Sequence, residues 1–396
     1  MILSRPATMP YSNRTVGPYW RQSLAEGAPG IALLHIERAR AGIAGWGHVH
    51  RLAVAMTRRP VHANPHASSL FEGAPAVAYA LYTAGRPAYH RALATLDRSI
   101  TTLIRIRLDA AHRRIDESRL AQAREYDLIN GLTGLGVYLM HRHPDHDQLR
   151  EILAYLVRLT EPIHTQGETV PGWWATGSPD RRQSPRWQHG HAGFGMAHGI
   201  AGPLALLSSA MRRGISVPGQ RDAIHTICTW LDQWQHGHAH AAWWPEVIDR
   251  SELHASAVVI PGPHRPSWCY GTPGIARALH LAGLATGDPD RTRRAEQALI
   301  GCLTDDRQLA RLTDTSLCHG WAGLIHTARC AANDAHNPDL TAATETAAHR
   351  MRHQQHPPPA DDGLLQGITG TSLVTNHPAT DRPATQPRWD TCLLVT

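Results

Sequence analysis

Short apolar segments with helical spacing recur along this chain, and a pair of small residues precedes each of them. The two small residues are three positions apart and form a Gly-x-x-Gly pattern. In the second copy, alanine replaces the second glycine. The pairs are Gly27/Gly30, Gly73/Ala76, Gly131/Gly134, Gly199/Gly202, Gly271/Gly274, Gly320/Gly323 and Gly367/Gly370. After the pairs, apolar residues return every three or four positions, as Ile275, Leu279 and Ala282 do, which predicts α-helices. Glycine offers unusual backbone angles and leaves room where two chain segments approach closely.

Further helical patterns lie between the copies, for example at residues 91–107 and 149–162. The starts of neighbouring copies are 46 to 72 residues apart, and the shorter spacings fit two helices and two connections. One helix pair cannot bury its apolar face alone, so stacked pairs are needed. The sequence therefore predicts an all-α fold in which residues 1–396 form a single domain of seven helix pairs.

The wider gaps predict small insertions around residues 165–190 and 236–265. Both segments are rich in Trp, Pro and Gly, so we expect loops or short strands that cover a functional face. The glycine pattern alone fits a solenoid or toroid without any chemistry equally well, because a fold does not determine a function.

Composition and charge narrow the class of protein. Hydrophobic residues make up 42% of the chain and charged residues 18%, enough for a large core. The net charge of +6 is spread without a run of five basic residues, which is not typical of a nucleic-acid binder. It favours acidic partners, such as an acidic leader segment of a peptide. The first twenty residues contain no apolar core of a signal peptide, and no spanning segment occurs, so we expect a cytoplasmic protein.

Two of the six cysteines occupy equivalent positions in adjacent copies. Cys269 and Cys318 each stand two residues before the first glycine, and His319 follows Cys318. A lone cysteine is usually structural, but equivalent positions in a curved array converge on one place. Two thiolates and one imidazole suit zinc, and three protein ligands leave a fourth position open, as in catalytic zinc sites.

Polar residues mark other copies at similar places. His198 directly precedes Gly199, Asp127 lies four residues before Gly131, and Arg265 lies four residues before a cysteine. Taken singly, they are best read as helix caps, satisfied buried polar groups or a surface cation. Together they are candidates for an acid/base pair and a cation beside the metal.

Five segments resemble the lanthionine synthetase C (LanC) family of lanthipeptide cyclases. They are EYDLINGLTG, GMAHGIAGPL, HRPSWCYGTPGIARAL, SLCHGWAGL and WDTCLLV, and the resemblance covers essentially the whole chain. It implies an α/α toroid of about seven inner and seven outer helices, with loop insertions over a zinc-binding face. It also implies Zn²⁺ as the cofactor, with Cys269, Cys318 and His319 as ligands, and catalytic roles for His198, Asp127, Arg265 and Tyr270.

The function implied by this resemblance is zinc-dependent thioether formation in a peptide. Cysteine thiols of a dehydrated precursor would add to dehydroalanine or dehydrobutyrine and give lanthionine or methyllanthionine rings. His198 would protonate the α-carbon, and Arg265 would stabilise the developing oxyanion. The chain length resembles a stand-alone class I cyclase. Its implied partners are a leader-bearing precursor peptide, a separate dehydratase and, as a further candidate, an exporter, in the cytoplasm or at the membrane through a biosynthetic complex.

Three other functions compete with peptide cyclisation. A protein of the same family could add a small thiol such as glutathione to dehydrated residues. A non-catalytic zinc-binding scaffold could recruit a peptide to a complex. A toroid glycosidase or prenyl-type transferase is the weakest alternative, because toroid glycosidases need paired carboxylates and we find no partner for Asp127 near a glycine pair.

Overall fold

Helices dominate the structure, a computed structural model that describes residues 20–376, except 166, 181, 183, 358 and 360, together with residues 387–396. The first twenty residues, apart from Trp20, therefore lie outside the described part. Helices α1 to α16 span Ala28–Arg40, Gly47–Thr57, Ala74–Ala84, His90–Asp116, Ala123–Tyr126, Leu132–Arg142, Asp147–Arg158, Ala201–Arg212, Gln220–Gln233, Arg250–Ala255, Thr272–Thr286, Pro289–Thr304, Asp306–Leu309, Trp321–Ala335, Pro338–His353 and Ile368–Asn376. The predicted all-α class is confirmed.

The seven helices that follow the small-residue pairs form a closed inner ring. They are α1, α3, α6, α8, α11, α14 and α16. Each contacts the next one along the chain, and α16 contacts α1. Inner helices are apolar on nearly every side, and all residues from Thr272 to Gly283 in α11 are buried. Ring closure makes the fold the α/α toroid that the resemblance implied.

An outer layer of amphipathic helices surrounds the inner ring. Helices α2, α4, α7, α9, α12 and α15 each follow one of the first six inner helices. In α4, Leu93, Leu96 and Ile100 are among the residues that face the core. The described residues contain these six outer helices and not the expected seven. A seventh, after α16, would fall partly on residues 377–386, which lie outside the described part.

The turns before the inner helices are joined to one another by backbone hydrogen bonds. The N–H of Ala197 donates to the carbonyl of Cys269 at 3.0 Å, and the N–H of Cys269 donates to Cys318 at 3.2 Å. The series continues from Cys318 to Leu365 at 2.8 Å and from Leu365 to Ala25 at 3.0 Å. These residues all stand two positions before the first glycine of a pair. The repeat therefore places Cys269 and Cys318 side by side at one end of the ring.

The second glycine of each pair is needed for close backbone approach. A Cβ on Gly274 would lie 2.1 Å from the carbonyl oxygen of Trp268, six residues earlier. A Cβ on any of the other second glycines would lie 2.0–2.7 Å from the equivalent carbonyl oxygen. Ala76 is the exception, and its turn is built differently, because Gly73 has a φ of 74°. The predicted close approach of backbone segments at the glycine pairs is confirmed. The predicted need for unusual backbone angles is met by only one of the seven first glycines, Gly73.

The two insertions supply short strands beside this end of the toroid. Strands β1 (Ile163–Thr165) and β2 (Glu168–Val170) form an antiparallel hairpin. Strands β3 (His191–Gly193) and β4 (Val247–Asp249) pair antiparallel and join the two insertions to each other. The two segments thus contain short strands and turns.

The C-terminal segment, residues 387–396, ends inside the ring. The indole N–H of Trp268 donates to the carbonyl of Leu393 at 3.0 Å, and Nε of Arg277 donates to Val395 at 2.8 Å. The segment therefore packs against the residue that directly precedes Cys269. No helix in the described residues is long and apolar enough to cross a membrane.

Candidate functional site

Cys269, Cys318 and His319 meet where the fifth and sixth turns of the ring lie side by side. One donor atom from each residue lies within 4.8 Å of the other two. Cys269 is buried, while Cys318 and His319 are half-buried. The trio is therefore open on one side, and the sequence prediction that these three residues converge is confirmed.

Equivalent serines shape the two turns that carry these donors. Ser267 Oγ accepts the backbone N–H of Gly271 at 2.9 Å, and Ser316 Oγ accepts that of His319 at 3.3 Å. Because each serine closes its turn within a few residues of a cysteine, it fixes the backbone from which the donor side chain projects.

The charge state of the two thiols is set by their proximity. A hydrogen bond from the Cys318 thiol, helped by His319 and opposed by burial, holds the pKa of Cys269 well below its usual value. The same contact raises the pKa of Cys318, burial raises it further, and the positive charge of Arg265 opposes both effects. Arg265 therefore lies near enough to Cys318 to act on its charge state, and its catalytic role stays a prediction.

The donor set fits a zinc ion. Two sulfurs and one imidazole nitrogen are ligands that zinc prefers, and three protein donors leave the fourth position for an outside ligand. Asp314, which sequence reasoning missed, lies 3.5 Å from Nε2 of His319 through its Oδ2 atom. A carboxylate on one ring nitrogen of a ligand histidine orients the ring and strengthens the other nitrogen as a donor. Its only sequence signal is its position six residues before Gly320.

A second trio of potential donors, His326, Cys330 and Asp390, also meets within 4.8 Å but is fully buried. Arg388 donates from Nε and Nη2 to the two oxygens of Asp390 at 3.0 and 2.8 Å. Nε2 of His326 lies 3.1 Å from Oδ2 of the same carboxylate. Because Arg388 already neutralises Asp390, we interpret this group as a charge-paired link between α14 and the C-terminal segment.

Asp127 and His198 form a hydrogen-bonded pair across two neighbouring turns. Oδ2 of Asp127 lies 2.7 Å from Nδ1 of His198, and Oδ1 accepts the backbone N–H groups of Asn130 and Gly131 at 2.5 and 2.9 Å. Asp127 is only 1% exposed, whereas the His198 side chain is 34% exposed. Asp127 therefore closes the turn before α6 and is also the hydrogen-bond partner of His198, while its role in catalysis stays a prediction.

These two residues line a cleft of about 560 Å³ together with Tyr270. Residues 176–180 of the first insertion and Val247 of the second also line it. The rings of His198 and Tyr270 lie 5.8 Å apart. Burial raises the pKa of Tyr270, and the nearby Cys269 and Asp127 raise it further. Tyr270 is therefore close both to the cysteine pair and to the Asp127–His198 pair.

One position of the repeat supplies several of the candidate residues. The residue directly before the first glycine is Glu26, Glu72, Asn130, His198, Tyr270, His319 and Gln366 in the seven turns. Sequence reasoning missed the two glutamates, although their position in the repeat was the available signal. Burial raises the pKa of Glu72 to about 7, and the charge of Glu26 adds to this.

The chain is similar to known proteins along most of its length. The family model described as Lanthionine synthetase C-like protein matches residues 18–394. The chain belongs to this family. The resemblance seen in the sequence is therefore confirmed.

Two relatives define the likeness further. Nisin biosynthesis protein NisC of Lactococcus lactis subsp. lactis is 27% identical over 204 residues, which cover 51% of this chain and 48% of that protein. The matched region thus spans about half the length of this curated relative. The solved structure of a nisin cyclase superposes with a TM-score of 0.76 at 22% identity and covers 95% of this chain and 93% of the other. At this identity the structural match confirms the toroid fold.

Proposed function

We propose that this protein is a lanthipeptide cyclase, which adds cysteine thiols of a dehydrated peptide to dehydroalanine or dehydrobutyrine. The observation that carries the proposal is the open trio of Cys269, Cys318 and His319 next to the Asp127–His198 pair, in a chain of this family. The trio can hold a metal, and the pair can move a proton. Thiol addition to an alkene conjugated to a carbonyl needs both an activated thiol and a proton donor.

Cys269, Cys318 and His319 are the residues that would hold zinc. Bound there, zinc would lower the pKa of a substrate thiol and so increase its thiolate fraction at neutral pH. Ser267 and Ser316 keep the two turns in place, and Asp314, 3.5 Å from Nε2 of His319, would orient its ring. The protein thus contributes a preformed donor set that needs little rearrangement.

His198 is the candidate for proton transfer. Its Nδ1 faces Asp127, so Nε2 is the nitrogen left for the cleft. A neutral ring can accept the thiol proton at Nε2, with Asp127 stabilising the resulting cation. The sulfur forms a bond to the β-carbon, and the C=C electron pair moves to give an enolate. His198 then returns the proton to the α-carbon, while Arg265 stabilises the enolate oxygen.

The experiment measures free thiols in a dehydrated peptide that contains one cysteine. We expect the wild-type protein to consume the thiol without a change in peptide mass. Cys318→Ala should lose both bound zinc and cyclisation, whereas His198→Asn should keep zinc and stall ring formation. Cys228→Ala, which alters a buried cysteine in outer helix α9, is the matched control and should behave as wild type.

Three outcomes decide between the competing functions. Full cyclisation by Cys318→Ala without bound metal contradicts the proposal. A peptide that gains the mass of glutathione, when glutathione is supplied, favours addition of a small thiol. Thiols that remain unchanged while the peptide stays bound favour a scaffold.

The finer assignments also belong to this proposal. The whole chain would act as one cyclase domain, on a leader-bearing precursor dehydrated by a separate enzyme, in the cytoplasm. Tyr270 would form the wall of the cleft against which the peptide is positioned. The continuous inner ring, closed by contact between α16 and α1, supports the single-domain assignment.

A further inference from the structure

A second groove, of about 400 Å³, lies next to the cleft that Asp127, His198 and Tyr270 line. The two cavities share Pro179, Asp180, Val247 and Tyr270 as lining residues. An extended peptide held in the cleft can therefore continue directly into this groove. We call it the insertion groove, because residues from both insertions line it.

The insertion groove has a mixed lining in which apolar surface exceeds polar surface, and exposed aliphatic side chains lie at its edge. Trp187, Pro245, Val258 and Ile260 are among its lining residues. Ile260 is 53% exposed, and the adjacent Val259 is 70% exposed. Only five large hydrophobic side chains are exposed in the described part of the chain. Val259 and Ile260 are the two of these five that are adjacent in the sequence. Exposed apolar surface concentrated at a groove is typical of a binding site.

Ion pairs fix the wall of the groove that carries Trp187. Arg186 donates to Asp249 at 2.7 Å and to Glu252 at 2.9 Å. The Arg186 guanidinium also lies over the ring of Trp187, 4.4 Å from its centre. Since Asp249 and Glu252 are buried, this wall is anchored to the start of α10.

Glu252 also anchors the segment that carries Ile260. Oε1 of Glu252 accepts the backbone N–H of Val259 at 2.7 Å, while its Oε2 holds Arg186. Farther along, Gly262 packs so closely on Trp243 that a Cβ would lie 2.4 Å from the ring. Both parts of the lining are thus held in place by these contacts, and the groove is preformed.

We propose that the insertion groove binds an apolar side chain of the peptide substrate close to the reacting cysteine. This inference rests on the proposed function, since the occupant is the same peptide that enters the cleft. The continuity of the two cavities at Tyr270 and Val247 identifies that peptide as the occupant. The groove then sets which cysteines are preferred, through the residue beside them.

The test compares two dehydrated peptides that differ only in the residue next to the cysteine, leucine in one and asparagine in the other. We expect the wild-type protein to have a KM about tenfold lower for the leucine peptide, with similar kcat. Ile260→Ser should reduce this preference to about threefold or less. Ile43→Ser, which alters a similarly exposed isoleucine elsewhere, is the matched control and should keep the wild-type preference.

A binding measurement separates this inference from the proposed function. Fluorescence anisotropy with labelled, undehydrated versions of the two peptides gives Kd without any reaction. One outcome supports the groove proposal but contradicts the cyclase proposal. In it, the wild-type protein does not cyclise either peptide but binds the leucine peptide more tightly, and Ile260→Ser lacks this preference. If the wild-type protein cyclises both peptides with equal KM and equal Kd, or if Ile43→Ser and Ile260→Ser lose the preference alike, the groove proposal is wrong.

Discussion

Asp127 Oδ2 lies 2.7 Å from Nδ1 of His198, although the two residues are 71 positions apart in the chain. The other oxygen of Asp127 closes its own turn, as Ser267 does in the turn of Cys269. One carboxylate therefore combines the structural role of the serine in other repeats with the orientation of a histidine. The two roles can be separated by substitution.

Asp127→Asn should keep the turn and impair proton transfer. The amide oxygen can still accept the backbone N–H of Gly131, but an uncharged group stabilises a protonated His198 less. We expect kcat to fall about 100-fold with the bound zinc unchanged. Asp127→Ala should show the same loss and in addition destabilise the fold by about 1 kcal/mol, as loss of a cap does. Steady-state kinetics and thermal unfolding measure both, and a wild-type kcat in Asp127→Asn would remove this role.

Asp314→Asn should weaken zinc binding without preventing it. Asp314 contacts the ring of His319 and is not one of the three donors. Loss of such an orienting carboxylate typically lowers metal affinity by about 10- to 100-fold. Competition with a chromophoric chelator measures the affinity. Asp290→Asn, at an exposed carboxylate paired with Arg293, is the control, and equal affinities in the two variants would contradict the assignment.

Glu72→Gln should stabilise the protein at alkaline pH. The pKa of Glu72 in the fold is about 7, raised from 4.5 by burial and by Glu26. The fold therefore disfavours the charged form, so stability is lost as the pH rises from about 4.5 through 7. The glutamine variant avoids this loss, and its melting temperature should exceed that of wild type at pH 8 and match it at pH 4. Glu117→Gln, at an exposed position, is the control and should not show this pH-dependent difference in melting temperature. If Glu72→Gln shows no such difference either, the assignment is wrong.

Asp390→Asn should destabilise the protein by about 3–5 kcal/mol at pH 7, because it leaves the buried His326 and the half-buried Arg388 without their partner. Burial would lower the pKa of His326, but Cys330 and Asp390 outweigh it and raise the pKa to about 9. The stabilisation from protonated His326 is therefore complete below about 6.5 and is lost as the pH rises through 9.

Unfolding by urea at pH 7 and pH 10 measures this contribution. The difference between wild type and Asp390→Asn should be smaller at pH 10, where only the pairing with Arg388 remains. A difference that is the same at both values would show that His326 is not charged in the fold. Unchanged zinc content in Asp390→Asn is also expected, since this buried group is not assigned to a metal.

Much of the fold and part of the site could be predicted from the register of the glycine pairs. That register put Cys269 and Cys318 at equivalent positions, and the backbone hydrogen bond between them confirms it. The glycine register alone does not predict the contact of α16 with α1, because closure depends on small rotations that add up around the ring. The closed ring was implied only by the family resemblance. The burial of the C-terminal segment could not be predicted from the register of the glycine pairs either.

The residues that were missed act through tertiary contacts. Asp314 lies outside the turn motif and is important only because the chain folds back onto His319. The raised pKa of Glu72 arises from burial and from a neighbouring turn. Trp187 and Ile260 come from two insertions whose pairing through β3 and β4 has no local sequence signal. Repeat position identifies such residues as neighbours, but their environment is set by packing.

The metal content of purified protein tests the central claim most directly. Elemental mass spectrometry of wild type, Cys318→Ala and Cys330→Ala compares a donor of the open trio with a cysteine of the buried group. We expect a single zinc per chain in wild type and in Cys330→Ala, and none in Cys318→Ala. Zinc that persists in Cys318→Ala, or that disappears in Cys330→Ala while the protein stays folded, would contradict the account.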